Sequence, residues 1–208
     1  EYDFKCRNEN VRFTKEMLEE IDAQIDHLCT LKFTKAELDY LRSIRFIKDD
    51  YVEFLRLWHP LRDYVKTSLN DDGELFINIH GPLFSAMQFE IYLLEIVNEV
   101  YFRMKYNYDE LEASAKCRLN KKIEDFKNGK YNFKFAEFGC RRRLSRKWHD
   151  VVVKTFCDSG YCIGTSNVYL AMKHNIKPIG TYAHEFVQMY QGISKIPLAY
   201  TNYYAMKD

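Results

Sequence analysis

The 208-residue sequence predicts an α/β protein, with an α+β domain over residues 1–130 followed by βα units over residues 131–208. Three observations carry this reading. After residue 130, three short apolar runs end at Gly139, Gly164 and Gly180, and each is followed by a helical pattern. Strands that alternate with helices in this way build parallel sheets. Before residue 130, helical stripes mix with one hairpin signal, the mark of an antiparallel α+β layout. Apolar residues make up 47% of the chain and aromatics 16%, enough for a substantial core.

The elements follow in order. "YDFKCR" alternates Tyr2, Phe4 and Cys6 on one face, which predicts a strand. Thr14 can cap a helix whose apolar stripe is Met17, Leu18, Ile21, Ile25 and Leu28. Thr34 opens a second helix, with Leu38 and Leu41 facing inward. "DYVKTSL" and "ELFINIHG" flank "NDDG", a hairpin signal at Asp72-Gly73. "FSAMQFEIYLLEIVNEVYF" is apolar on most sides and reads as one long buried helix. A charged helix runs from about Asp109 to Asn128, and "NGK" closes the first part.

In the second part, "NFKFAEFG" reads as a strand, and "RRLSRKWHDVVVKTF" as a helix with Leu144, Trp148, Val151, Val152 and Phe156 inward. Gly160 can end it. "YCIG" is a strand, "SNVYLAMKH" a helix stopped at Asn175, "IKPIG" a strand, and "AHEFVQMYQ" a third helix.

Net charge is +1, so the chain exerts no global pull on nucleic acid or anionic membrane. No apolar run approaches the roughly 20 residues that span a bilayer. The six cysteines form no C-x-x-C pair and match no zinc spacing, and no histidine pair has ligand spacing, so no protein-built metal site is expected. Free thiols in a reducing cytoplasm fit this usage. The first residue is Glu1 and the last stretch, "YTNYYAMKD", has no breaker, so an internal piece of a longer chain is expected.

In parallel α/β folds, chemistry gathers at the C-terminal ends of the strands. Here those ends carry "FGCRRR", "GTSN" and "GTYAHE". Arg141, Arg142 and Arg143 fall where a helix is expected to begin, an end that disfavours cations. A phosphate or pyrophosphate bound there would offset that cost, and a solvated basic turn paired with nearby acids is the alternative. Phe138 is either a core residue or a flat surface for a planar ring. Thr165, Ser166 and Asn167 can cap a helix or hydrogen-bond a ligand. His184 neighbours Glu185 and follows a strand end, which suits a general base or a covalent nucleophile. The other five histidines lack such support, and His149 is placed on the polar side of Trp148.

"EFGCRRRLSR", "GTSNVYLA" and "GTYAHEFVQ", in this order and spacing, resemble nicotinate phosphoribosyltransferases. "GPLFSAMQFEIYLLEIVNE" and "YDFKCR" resemble earlier segments of the same family. The resemblance implies an irregular α/β barrel, begun by residues 131–208, beside an α+β domain. It implies synthesis of nicotinate mononucleotide and pyrophosphate from nicotinate and 5-phosphoribosyl 1-pyrophosphate, the entry step of NAD salvage. ATP hydrolysis would be coupled through a phosphorylated His184, with Mg²⁺ as cofactor. Phe138 would stack on the pyridine ring, Arg141 and Arg142 would hold phosphoribosyl or pyrophosphate oxygens, and Thr165 and Ser166 would lie near the pyridine substituent.

A homodimer with shared active sites, in the cytoplasm, is also implied. The nicotinamide-using relative has an aspartate where Ser166 stands, so Ser166 favours an acid substrate, and the Ala-His-Glu motif argues against quinolinate. A non-catalytic nucleotide-binding relative would need neither His184 nor the arginines. The family's first motif, Asp-x-Tyr-Lys, and its later barrel strands are missing from the sequence, so the 208 residues alone are expected to be inactive.

Overall fold

A short strand, β1 (Tyr2–Asp3), joins the edge of a three-stranded antiparallel sheet with order β1-β3-β2. The structure is a computed structural model and describes residues 1–181. Residues 1–178 form one compact unit, and a second begins at Ile179. The expected third helix and His184 lie outside the described residues.

Thr14 caps α1 (Lys15–Thr30) by accepting a bond from the Met17 amide, and Met17, Ile21, Ile25 and Leu28 are buried at helical spacing. α2 (Lys35–Ser43) begins with a full capping box: Thr34 Oγ1 accepts from the Glu37 amide, and Glu37 Oε2 accepts from the Thr34 amide. α3 (Asp49–Leu57) packs on α2 through Val52 and Leu55. The hairpin stands where Asp72-Gly73 puts it. β2 (Val65–Leu69) pairs antiparallel with β3 (Leu75–Ile79), from Val65↔Ile79 to Leu69↔Leu75. Ile77 and Ile79 face α1 and form one core with Phe89 and Val97 of the helix that follows.

The long apolar helix departs from expectation. It is divided into α4 (Leu83–Ala86) and α5 (Phe89–Lys105), and it is buried on one side only. Phe89, Leu93, Val97 and Val100 enter the core, whereas Ile91 and Tyr92 remain over a third exposed. Glu95, a carboxylate amid apolar neighbours, is only 6% exposed. α6 (Tyr108–Lys127) follows, N-capped by Asn107.

The βα part begins at β4 (Phe135–Glu137), shorter than the sequence suggests. A 3-10 turn over Cys140–Arg142 comes next, and α7 (Arg146–Asp158) starts only after Ser145, which caps it by accepting from the Trp148 amide. Val151 is exposed, and Val153 takes its expected place in the core. β5 (Cys162–Thr165) pairs parallel with β4, and α8 (Val168–His174) ends at Asn175, which adopts the left-handed conformation with φ 51°. The third expected strand is reduced among the described residues to a parallel bridge, Thr165↔Pro178.

Candidate active site

β4 and β5 run side by side, so their C-terminal ends share a rim. Glu137, the last residue of β4, organises it. Its Oε2 accepts a 2.6 Å bond from Thr165 Oγ1 at the end of β5, and its Oε1 accepts from the Gly139 amide. His149 Nε2, on α7, stands 3.1 Å from the same Oε1, although off the line of a well-formed hydrogen bond. Burial pushes the Glu137 carboxyl up, but His149, the Thr165 hydroxyl and the Gly139 amide together outweigh it and hold the group below its ordinary range. A Cβ at Gly139 would lie 2.7 Å from Glu137 Oε1, so a side chain there would displace the carboxylate from its partners.

The loop after Glu137 is gripped from the other side by α5. Glu95 Oε1 accepts a bond from the Cys140 thiol, and its Oε2 is 2.9 Å from Arg143 Nη1. Asn98 Nδ2 donates to the Arg141 carbonyl at 2.7 Å, and Glu99 Oε2 accepts from the Arg146 amide at 2.9 Å. Glu90 Oε1 accepts from Arg141 Nη1 at 2.7 Å. Burial raises the Glu95 carboxyl despite Arg143, and burial beside Glu95 pushes the Cys140 thiol to about 12, so Cys140 is a proton donor here and not a nucleophile.

These partners sort the predicted residues. Arg141, Arg142 and Arg143 do not begin a helix; they lie on and just after the 3-10 turn, where the cost to a helix N-terminus does not arise. Arg143 is nearly buried between Glu95 and Glu99, and Arg141 is paired at the surface. The side chain of Arg142 has no hydrogen-bond or ion-pair partner among the described residues and borders a groove of about 330 Å³ that Arg118, Trp148 and His149 also line. Thr165 is fully buried, its hydroxyl donating to Glu137 and accepting from the Asn167 amide. Ser166 is half-buried, and its amide donates to the Glu137 carbonyl at 2.9 Å while its hydroxyl has no partner among the described residues. Phe138 is 46% exposed, so it is not part of the core that the described residues form.

Sequence reasoning missed three residues of this arrangement. His149 is 4% exposed rather than on a polar side, and Val153 four residues on is the signal that it shares the buried face. Glu137 in "FAEF" and Glu95 in "LLEIV" are single carboxylates inside apolar runs, and each is buried by finding partners.

Comparison with known proteins agrees with this layout. The model of the nicotinate phosphoribosyltransferase N-terminal domain matches residues 1–98, and the model of the nicotinate phosphoribosyltransferase family matches residues 133–206. The chain belongs to the nicotinate phosphoribosyltransferase family. Among its relatives, the nicotinate phosphoribosyltransferase of Ralstonia pickettii is 45% identical over 198 residues, which cover 93% of this chain and 50% of that protein.

The solved nicotinate phosphoribosyltransferase of Porphyromonas gingivalis superposes with a TM-score of 0.76 at 28% identity, over 95% of this chain and 50% of its own. That of Vibrio cholerae gives 0.75 at 29%, over 88% and 46%. The chain thus spans about half the length of the curated nicotinate phosphoribosyltransferases it matches. The two matched stretches divide the site: Glu90, Glu95 and Asn98 lie in the first, and the rim residues Phe138 to Ser166 in the second.

Proposed function

We propose that the whole protein carrying this chain transfers the phosphoribosyl group of 5-phosphoribosyl 1-pyrophosphate to nicotinate, releasing pyrophosphate and supplying NAD salvage. The observation that carries the reading is a set of groups that follow two adjacent strand ends: the exposed ring of Phe138, and the Arg142 guanidinium and Ser166 hydroxyl, neither of which has a partner among the described residues. Each suits one part of the reaction. An exposed ring can hold a pyridine by offset stacking. A guanidinium without a carboxylate partner can take phosphate oxygens in a forked pair. A hydroxyl accepts or donates to a carboxylate or its water without repelling it.

In the reaction, the nicotinate ring nitrogen attacks C1′ as the bond from C1′ to the pyrophosphate oxygen breaks and its electron pair leaves with pyrophosphate. Charge therefore grows on the leaving group, and a preplaced cation stabilises it most. Arg142 meets that need, with Arg141 able to exchange Glu90 for a phosphate at the surface. Positioning must supply much of the rate because a neutral ring nitrogen is a modest nucleophile. Mg²⁺ belongs with the pyrophosphate oxygens of the substrate, where it would add to the charge neutralisation.

The Glu137 charge close to Thr165 is compensated by His149, Thr165 and the Gly139 amide, so it does not by itself bar an anionic pyridine. His184 is our candidate for the phosphorylated residue that couples ATP hydrolysis. We place β4, β5 and the Pro178 bridge at the start of an irregular α/β barrel in a cytoplasmic homodimer with shared sites.

The test is an assay of the whole protein with nicotinate, phosphoribosyl pyrophosphate and Mg²⁺, with and without ATP, beside His184→Ala. Nicotinate mononucleotide should form, ATP should stimulate it, and the variant should lose the stimulation. A variant that keeps its full ATP response removes His184 from the coupling. No product with nicotinate, but product with nicotinamide or quinolinate, would transfer the assignment to a sibling substrate, and no product with any pyridine would make the chain a non-catalytic relative.

A further inference from the structure

The polar face of α5 reaches the rim at six points, and every one lands on residues 140–146. Buried Glu95 stands at the centre of that face. It holds the Cys140 thiol through one oxygen and Arg143 through the other, and Asn167 Nδ2 donates to the same sulfur at 3.0 Å. One carboxylate thus links α5, the 3-10 turn and the start of α8. Arg143 in turn is nearly used up by Glu95 and Glu99 and is not available to a ligand, whereas Arg142, between two anchored neighbours, points its charge at no protein group among the described residues. A packed apolar residue at position 95 would fill the same space at less cost than a buried carboxylate. What it could not do is fix the path of this loop.

We infer that Glu95 is a positioning residue for anion binding: by anchoring Cys140 and Arg143 from the α5 side, it sets the loop so that Arg142 is presented, unpaired, to the pyrophosphate group. The inference rests on the proposed function for its substrate, and the geometry belongs to the described residues alone. Glu95 touches no substrate in this scheme. It acts through the loop, and Asn98, which donates to the Arg141 carbonyl, acts by the same route.

The test compares wild type, Glu95→Gln and Asn98→Ala in the whole protein. Glu95→Gln keeps the shape and a hydrogen-bond acceptor but removes the charge that holds Arg143. Asn98→Ala removes one neutral bond to the loop backbone and leaves every charge in place, so it carries the test if the first variant fails to fold. We expect the KM for phosphoribosyl pyrophosphate to rise about 5–10-fold in Glu95→Gln and about threefold in Asn98→Ala, with kcat within about twofold of wild type.

The Kd for inorganic pyrophosphate, measured by calorimetry, should weaken in parallel. A lowered melting temperature with KM and Kd both unchanged would mean that Glu95 is only a core residue, and the inference falls. Because pyrophosphate binding needs no turnover, a wild type that makes no product overturns the proposed reaction, whereas a pyrophosphate Kd shared by all three proteins overturns the role of Glu95.

Discussion

Glu137 is a carboxylate that burial resists and three neighbours retain. Its pKa lies below the ordinary glutamate value of 4.5, so the folded state binds its proton less readily than the unfolded chain does. By linkage, its stabilisation is present above 4.5 and disappears as the pH falls through the lowered folded value. Glu137→Gln should therefore melt below wild type at neutral pH, and the gap should narrow as the pH falls below 4.5. Melting curves across acid pH read this directly, and a gap that is constant with pH would show that the carboxylate charge contributes nothing.

Glu95 has the opposite sign, since burial raises its pKa and the fold holds that proton more readily than the unfolded chain does. At this scale the sequence is only partly legible. Phe138, Arg142 and Ser166 draw notice in the sequence because they follow predicted strand ends, but which of three consecutive arginines lacks a partner among the described residues depends on carboxylates over forty residues away. Local sequence holds no record of such pairings.

Elements are legible where a local rule dictates them. Thr14 and Thr34 cap helices, Asp72-Gly73 turns a hairpin, and Asn175 stops α8, each through bonds made within a few residues. Elements are misread where tertiary packing decides. The arginine run looks like the first turn of α7, yet Ser145 supplies the better cap and the helix waits for it. Periodicity likewise assigns Val151 inward, but the buried face is rotated toward Val153 and carries His149, which stands 3.1 Å from Glu137.

Two glycines offer a test at this scale. Gly73 and Gly160 both have positive φ, +76° and +78°, and an alanine at either is strained by about 1–2 kcal/mol. Only at Gly73 would the new Cβ strike backbone, 2.9 Å from the Phe13 carbonyl, whereas around Gly160 the space is open. Gly73→Ala should lose more stability than Gly160→Ala in urea unfolding, and equal losses would show that the hairpin yields at no cost.

At the scale of the whole molecule, an antiparallel sheet early in the chain and a parallel strand pair later in it are legible because they follow from the order of periodicities, although residues 1–178 form one compact unit. The contact that unites the two is not, since it consists of polar residues in an apolar helix. The antiparallel sheet, α1 and α5 form one core, α2 and α3 a second, and α6, α7 and β5 a third. The face of α5 turned away from the first core carries Glu90, Asn98 and Glu99, which meet the strand-end loop.

That arrangement has a consequence in time. Glu95 leaves the ribosome before Cys140, which follows it by 45 residues. At translation rates of about 5–20 residues per second, the helix waits roughly 2–9 s for its partners. During that interval a carboxylate destined for the interior has only water to solvate it, so α5 cannot settle fully onto the first core. Nascent chains stalled so that α5 has cleared the exit tunnel while Cys140–Arg146 are still inside it should leave α5 open to limited proteolysis, and chains stalled far enough past Arg146 for it to clear the tunnel should protect it. Protection already complete at the earlier stall would mean that α5 seats without the loop.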